Sequence, residues 1–154
     1  MKWDELPKQP CSVARTVAVI GDRWTLLILR DCFLGVRRFE AFQERLGISR
    51  TIIADRLKLL VNEGVLRREA YQERPIRYEY RLTPKGLDLH PVVMAIVAWG
   101  DRHYAGEAGP PLLNRHKACG CDFHAVMTCS ECGEPVGPRD VQSRPGPGLT
   151  AAKA

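Results

Sequence analysis

The stretch that most narrows the fold is residues 47–62, Gly-Ile-Ser-Arg-Thr-Ile-Ile-Ala-Asp-Arg-Leu-Lys-Leu-Leu-Val-Asn. Ile53, Leu57, Leu60 and Val61 recur at helical spacing and make one apolar face, with Thr51, Asp55, Lys58 and Asn62 as a polar stripe opposite. Ser49 stands where an N-cap hydroxyl accepts from a first-turn N–H, and Gly64 where a left-handed residue ends a helix. Just upstream, Phe39, Phe42 and Leu46 outline a shorter amphipathic helix that Gly47 terminates. Two short helices joined at Gly47 and Ile48 are either a helix-turn-helix, whose second helix enters a DNA groove, or an ordinary hairpin in an all-α core. The next residues favour the first reading. Residues 65–71 and 77–82 read as strands by their Val, Leu, Tyr and Ile content and the alternation Tyr78-Glu79-Tyr80, and a turn over 72–75 containing Pro75 joins them. A helix pair followed at once by a β-hairpin is the winged-helix order. An isolated hairpin is barely stable, so this one must pack on the helices, which brings its tip beside the same groove. The predicted class is mainly α with a small β-hairpin, an α+β winged helix-turn-helix carrying a short Cys-rich knuckle at its C-terminal end.

Upstream, Val13, Val17 and Ile20 suit one face of a helix over residues 11–20. Gly21 interrupts it, and Asp22 can cap a strongly apolar helix over 23–33 that includes Trp24, Leu27, Ile28 and Phe33; Cys32 within it reads as a small core residue. Thr83 as N-cap and Pro84 at the first helical position start a helix predicted to run to about Tyr104. Leu89, Val93, Ile96, Trp99 and His103 form one stripe along it. That stripe is more apolar than a surface helix of so small a domain requires, and Val93, Ile96 and Trp99 are therefore read as facing a second copy of the chain. Residues 1–10 read as a flexible arm, 11–104 as the winged domain, 105–115 as a linker, 116–140 as the knuckle, and 141–154, rich in Pro, Gly and Ala, as disordered. No internal repeat stands out.

Charge indicates where a polyanion would sit. The chain holds 23 Lys and Arg against 18 Asp and Glu, net +5. Residues 1–104 hold 18 basic and 13 acidic side chains, whereas 105–154 hold 5 of each, so the whole excess lies with the helix pair. On the second helix Ser49, Arg50, Thr51, Asp55 and Lys58 face outward as candidates for phosphates and base edges. Ile52, on the flank, either touches a thymine methyl or packs against the wing. Arg74 and Arg77, near the hairpin tip, are candidates for phosphate or minor-groove contact, while Arg67 and Arg68 read equally well as a solvated strand face. No apolar run reaches membrane-spanning length and the first residues lack the apolar core of a secretory signal, so a cytoplasmic protein with no membrane partner is expected. There the six Cys read as metal ligands, redox thiols or core residues, not as structural disulfides.

The extension contains His116-x-x-Cys119, then Cys129-x-x-Cys132-Gly133. A Cys-x-x-Cys-Gly turn lets both thiolates reach one ion, and His116 with Cys119 would complete a tetrahedral Cys3His site holding one structural zinc. Cys121 or His124 can replace His116 in that set. With few apolar residues, the segment needs something other than a core to order it. The alternatives are free thiols or a redox pair of Cys129 and Cys132.

A resemblance covers about residues 11–104. Cys11-Ser-Val-Ala, Ile20-Gly-Asp-Arg-Trp-Thr-Leu-Leu-Ile-Leu, Arg38-Phe39, Gly47-Ile-Ser, Arg56-Leu57, Gly64-Val-Leu-Arg, Pro75, Tyr78-Glu-Tyr-Arg-Leu-Thr and Gly86 resemble the HxlR family, bacterial winged-helix transcription regulators related in fold to the MarR group. The resemblance implies a homodimer on double-stranded DNA, an operator with two half-sites, and a dimer interface built from the first and last helices of the domain. In some members a Cys at the position of Cys11 senses thiol-reactive compounds or oxidants. Cys11 opens a helix with Arg15 one turn on, and both features favour a thiolate. The expected function is a sequence-specific regulator, a dimeric repressor on an inverted-repeat operator. The alternatives are a thiol- or metal-responsive sensor using Cys11 or the extension, and a protein-interaction adaptor on the same scaffold; the effector is unidentified. An enzyme is not expected, since the Cys/His cluster has no acid–base partner beyond Glu131 and Glu134 and no cofactor loop occurs.

Overall fold

A computed structural model describes residues 3–151. The chain folds as two compact units, residues 3–90 and 91–151. The first contains α1 (Ser12–Ile20), α2 (Arg23–Phe33), α3 (Phe39–Leu46), α4 (Arg50–Asn62), the strands β1 (Leu66–Glu73) and β2 (Ile76–Leu82), and the short α5 (Pro84–Leu87). The long helix α6 (His90–Tyr104) begins at the junction and is followed by β3 (Asn114–Arg115), β4 (Asp122–Phe123) and α7 (Pro147–Ala151). The architecture is the expected one, mainly helical with a two-stranded antiparallel hairpin after a helix pair. Among the described residues no helix is long and apolar enough to cross a membrane.

Local chemistry explains the element ends. The Asp22 carboxylate accepts from the N–H groups of Trp24 at 3.0 Å and Thr25 at 3.2 Å and so caps α2. The same oxygen lies 3.1 Å from Arg56 Nε, which joins the start of α2 to the middle of α4. Behind these caps, Ile28 and Leu29 of α2, Phe42 of α3, and Ile53, Leu57 and Leu60 of α4 are fully buried, with Val65 and Leu66 closing the core. Each such side chain contributes about 1.5–3 kcal/mol on burial. Val61, the fourth residue of the predicted apolar face, is only half-buried. Asp31 is also fully buried, with Arg30 Nη2 at 2.8 Å and Arg45 Nε at 3.3 Å; an interior carboxylate persists only when compensated in this way.

The hairpin is anchored at its base and along the outer edge of β2. Leu66 pairs with Leu82 and Arg68 with Tyr80, and a bulge between Ala70 and Gln72 shifts the register toward the tip. On the outer edge of β2, Arg38 bridges Glu79 and the Tyr80 N–H donates to the Arg37 carbonyl at 2.8 Å, so the loop before α3 joins the sheet. At the base, Thr83 Oγ1 accepts from the Gly86 N–H at 3.1 Å and donates to the Gly64 carbonyl at 2.6 Å.

Four expectations change. Residues 3–8 of the expected arm form a 3-10 helix, Trp3–Lys8, against α1; Met1 and Lys2 lie outside the described residues. The single helix expected over 83–104 is broken, with a turn at Asp88 and Leu89 between α5 and α6. The cause is Pro91: it has no N–H to give the Leu87 carbonyl and its ring would collide with that carbonyl, so it tolerates only a first helical turn. Within the expected disordered tail, residues 147–151 form α7, residues 141–146 have no regular secondary structure, and 152–154 lie outside the described residues. Finally, the division falls before α6, not after Tyr104, because Ala95, Ala98 and Trp99 of α6 line a groove together with Val126 and Met127 of the extension.

Candidate nucleic-acid interface

The turn between α3 and α4 depends on a left-handed residue. Gly47 has φ 62° and its N–H closes α3 on the Gln43 carbonyl at 2.9 Å, redirecting the chain toward Ser49. Ser49 then caps α4 by accepting from the Ile52 N–H at 3.3 Å. Because Ile53, Leu57 and Leu60 take the inner face, Ser49, Arg50, Thr51, Asp55 and Lys58 are left exposed and Ile52 half-buried on the flank. The first-turn N–H groups of α4 beyond Ser49's reach point outward, where a phosphate oxygen fits. Arg50 turns back toward α3: its Nη1 donates to Gln43 Oε1 at 3.0 Å and its guanidinium lies 4.7 Å above the Phe39 ring.

Cations on the wing fall into two groups. Arg81 is taken by Glu79 at 2.6 Å and Glu69 at 3.0 Å, and Arg67 also pairs with Glu69. Arg74 and Arg77 are exposed at the tip, beside a cis Arg74–Pro75 peptide, and have no carboxylate partner among the described residues. Between wing and α3 lies a groove of about 620 Å³. It gathers Arg38, Arg68 and Arg77 with Tyr71 and Tyr78, and Glu40 is the one acidic side chain in its lining. Arg38 stacks 4.5 Å from the Tyr71 ring and Arg68 3.5 Å from Tyr78. Arg38 and Tyr71 are absent from the sequence-based site. The adjacent Arg37 and Arg38 before α3 were a usable signal; the bulge that re-aims Tyr71 was not visible in a period-two pattern.

The remaining predicted residues are dispersed. Val93 is buried, whereas Ile96 is 48% and Trp99 56% exposed. Cys11 is the exposed N-cap residue of α1, and Arg15 Nε donates to the Gln9 carbonyl at 2.8 Å. Burial, aided by the neighbouring Asp31 charge, pushes the Cys32 thiol up to about 12. In the extension, His116 Nδ1 lies 3.3 Å from Cys119 Sγ. The backbone N–H groups of Cys132 and Glu131, with the Cys132 thiol, hold the Cys129 thiol below its ordinary value. These four residues stand as two pairs: among the described residues no group of three or more His, Cys, Asp or Glu is placed to hold a metal ion.

Comparison with known proteins agrees with this arrangement. Residues 19–108 match the family model described as HxlR-like helix-turn-helix. An HTH-type transcriptional regulator of Mycobacterium tuberculosis is 43% identical over 143 residues, which are 93% of this chain and 90% of that protein. A crystal structure of PA1607, described as a transcription factor, aligns with a TM-score of 0.80 at 34% identity, covering 90% of this chain and 96% of that one. The redox regulator HypR in its reduced form aligns with a TM-score of 0.56 at 30% identity, covering 60% of this chain and 92% of that one. The first two spans exceed what residues 1–104 supply, so they take in much of the extension as well. With helix pair, wing and basic surface in place, the chain is a transcription regulator and not an enzyme, and it belongs to the HxlR-like helix-turn-helix family of DNA-binding regulators.

Proposed function

We propose that the chain is a dimeric repressor that reads an inverted-repeat operator with α4 in the major groove and the wing tip on the flanking backbone. The carrying observation is the exposed face of α4, from Arg50 to Lys58, beside a wing whose Arg74 and Arg77 have no carboxylate partner among the described residues. Exposed Ile96 and Trp99 on α6, and Val13 at 70% exposure on α1, support a second copy on the first and last helices of the domain. In such a dimer the half-site centres lie about one helical turn, roughly 34–36 Å, apart. Footprinting of the promoter next to the chain's own gene tests this. Two protected half-sites with two-fold symmetry are expected, together with higher transcription when the gene is deleted. Protection without symmetry, or no protection at any salt concentration, overturns it.

A thiol-responsive version is favoured by one further observation, the exposure of Cys11 at the N-cap of α1, together with similarity to a protein solved as a redox regulator. Modification of Cys11 would displace α1 and so alter the spacing of two α4 helices. Alkylation near neutral pH should modify Cys11 well before Cys32 and release operator DNA. Normal operator binding by protein alkylated at Cys11 excludes this version.

A further inference from the structure

The extension holds a repetition that is not visible in its residue types. Arg115 pairs with Asp122 across β3 and β4, and Thr128 bridges Pro135 in the same antiparallel sense. One step inward, the His116 N–H donates to the Cys121 carbonyl at 2.9 Å and the Cys129 N–H to the Glu134 carbonyl at 2.8 Å. Within each turn the glycine N–H comes back to the first residue, Gly120 to His116 at 2.8 Å and Gly133 to Cys129 at 2.9 Å. Both glycines are left-handed, with φ 72° and 77°. The same backbone turn thus occurs twice, and its register sets the correspondence: His116 with Cys129, Cys119 with Cys132, and Cys121 with Glu134. No residue between 105 and 149 is buried, so no apolar interior accounts for two such regular turns.

We propose that the two turns are the halves of a single structural zinc site, a Cys3His tetrahedron of His116, Cys119, Cys129 and Cys132. The correspondence places Cys121 outside the site, because its counterpart Glu134 follows the glycine, and His124 lies beyond the turn altogether. Three thiolates and one imidazole form a donor set suited to zinc, and four protein donors leave no open position for water or substrate. A turn of this kind presents two donors three residues apart, as the 3.3 Å approach of His116 Nδ1 to Cys119 Sγ illustrates. Two donors do not fill a tetrahedron, so the ion draws the halves together. Binding replaces the thiol protons of the three cysteines with bonds to the metal and releases those protons to solvent.

The test uses the full chain, reduced and purified without chelators. Elemental analysis should find one zinc per chain. His116→Ala, Cys119→Ser, Cys129→Ser and Cys132→Ser should each lose nearly all of it, while Cys121→Ser and His124→Ala keep it. Wild-type protein supplies a second readout that depends on no variant folding. With zinc bound, Cys119, Cys129 and Cys132 should resist alkylation while Cys11 and Cys121 react, and a chelator should expose the three together. Metal-free protein with reduced thiols overturns the proposal. So does full zinc in Cys129→Ser, zinc loss in Cys121→Ser, or half an ion per chain.

Discussion

Arg50 and Arg74 carry the same charge in different settings. Arg50 is the first residue of α4 and is positioned by Phe39 and Gln43, whereas Arg74 projects from the hairpin tip. Arg50→Ala should cost on the order of 1–3 kcal/mol of discrimination between operator and unrelated DNA. Arg74→Ala should weaken both DNAs alike and lower the salt slope by about one unit. Titrations of both DNAs across a salt series separate these outcomes; a uniform loss for Arg50→Ala would reassign it to a phosphate. Cys32 gives a prediction in pH. Its folded pKa of about 12 lies above the ordinary 9.0, so the fold favours the protonated thiol. The stability that this contributes is complete below about pH 9 and is lost as pH rises toward 12. Denaturant unfolding should therefore show the gap between wild type and Cys32→Ala narrowing across that window, and a constant gap would contradict the assignment. The same protonation should keep Cys32 slow toward alkylation at neutral pH, where exposed Cys11 reacts.

Where α4, β1 and α5 meet, there is no room for one more carbon. A Cβ on Gly86 would lie 2.2 Å from the Val65 carbonyl oxygen and 3.0 Å from Leu82 Cδ2. Gly86→Ala must push α5 away from the base of the hairpin and should cost about 1–3 kcal/mol. Thr83→Ala, which removes the cap, should cost about 1 kcal/mol. Thermal unfolding checks both, and a neutral Gly86→Ala would show that the corner yields. These elements also show what a sequence reveals. α2 and α4 were legible because their apolar residues recur at helical spacing beside Asp22 and Ser49, and the hairpin because its strands alternate around Pro75. The break before α6 was hidden: the apolar stripe runs straight through Leu89 to Val93, so the periodicity signal outweighed Pro91. The basic face of α4 was legible as the complement of its buried face. The stacking of Arg38 on Tyr71 was not, because the bulge at Tyr71 changes which side of the strand it serves. In the extension the spacing identified two donor pairs, but only hydrogen-bond register aligned one turn with the other.

For the molecule as a whole, the feature that matters most is the exposed apolar face of α6. Ile96 and Trp99 are about half exposed on a helix whose Val93 is already buried. If a second copy covers them, Ile96→Glu should shift the sedimentation of micromolar protein from dimer to monomer and weaken binding to the full operator, with binding to one half-site little changed. A wild-type monomer that binds a single half-site tightly would contradict this. Partner surfaces of this kind are poorly legible in sequence, because an apolar stripe reads the same whether its cover is the same chain or another. The loop before α3 bears on how such a dimer is controlled. Its pairing with β2, through Arg38 to Glu79 and Tyr80 to Arg37, fastens the wing to the helix pair. In a dimer each reading head would then move as one block, and a signal would act on the distance and angle between the two blocks. Spacer length in the DNA then becomes the effector's equivalent. Adding or removing base pairs between half-sites should reproduce the induced state without any inducer, and one altered spacing should restore grip to protein that the signal has released.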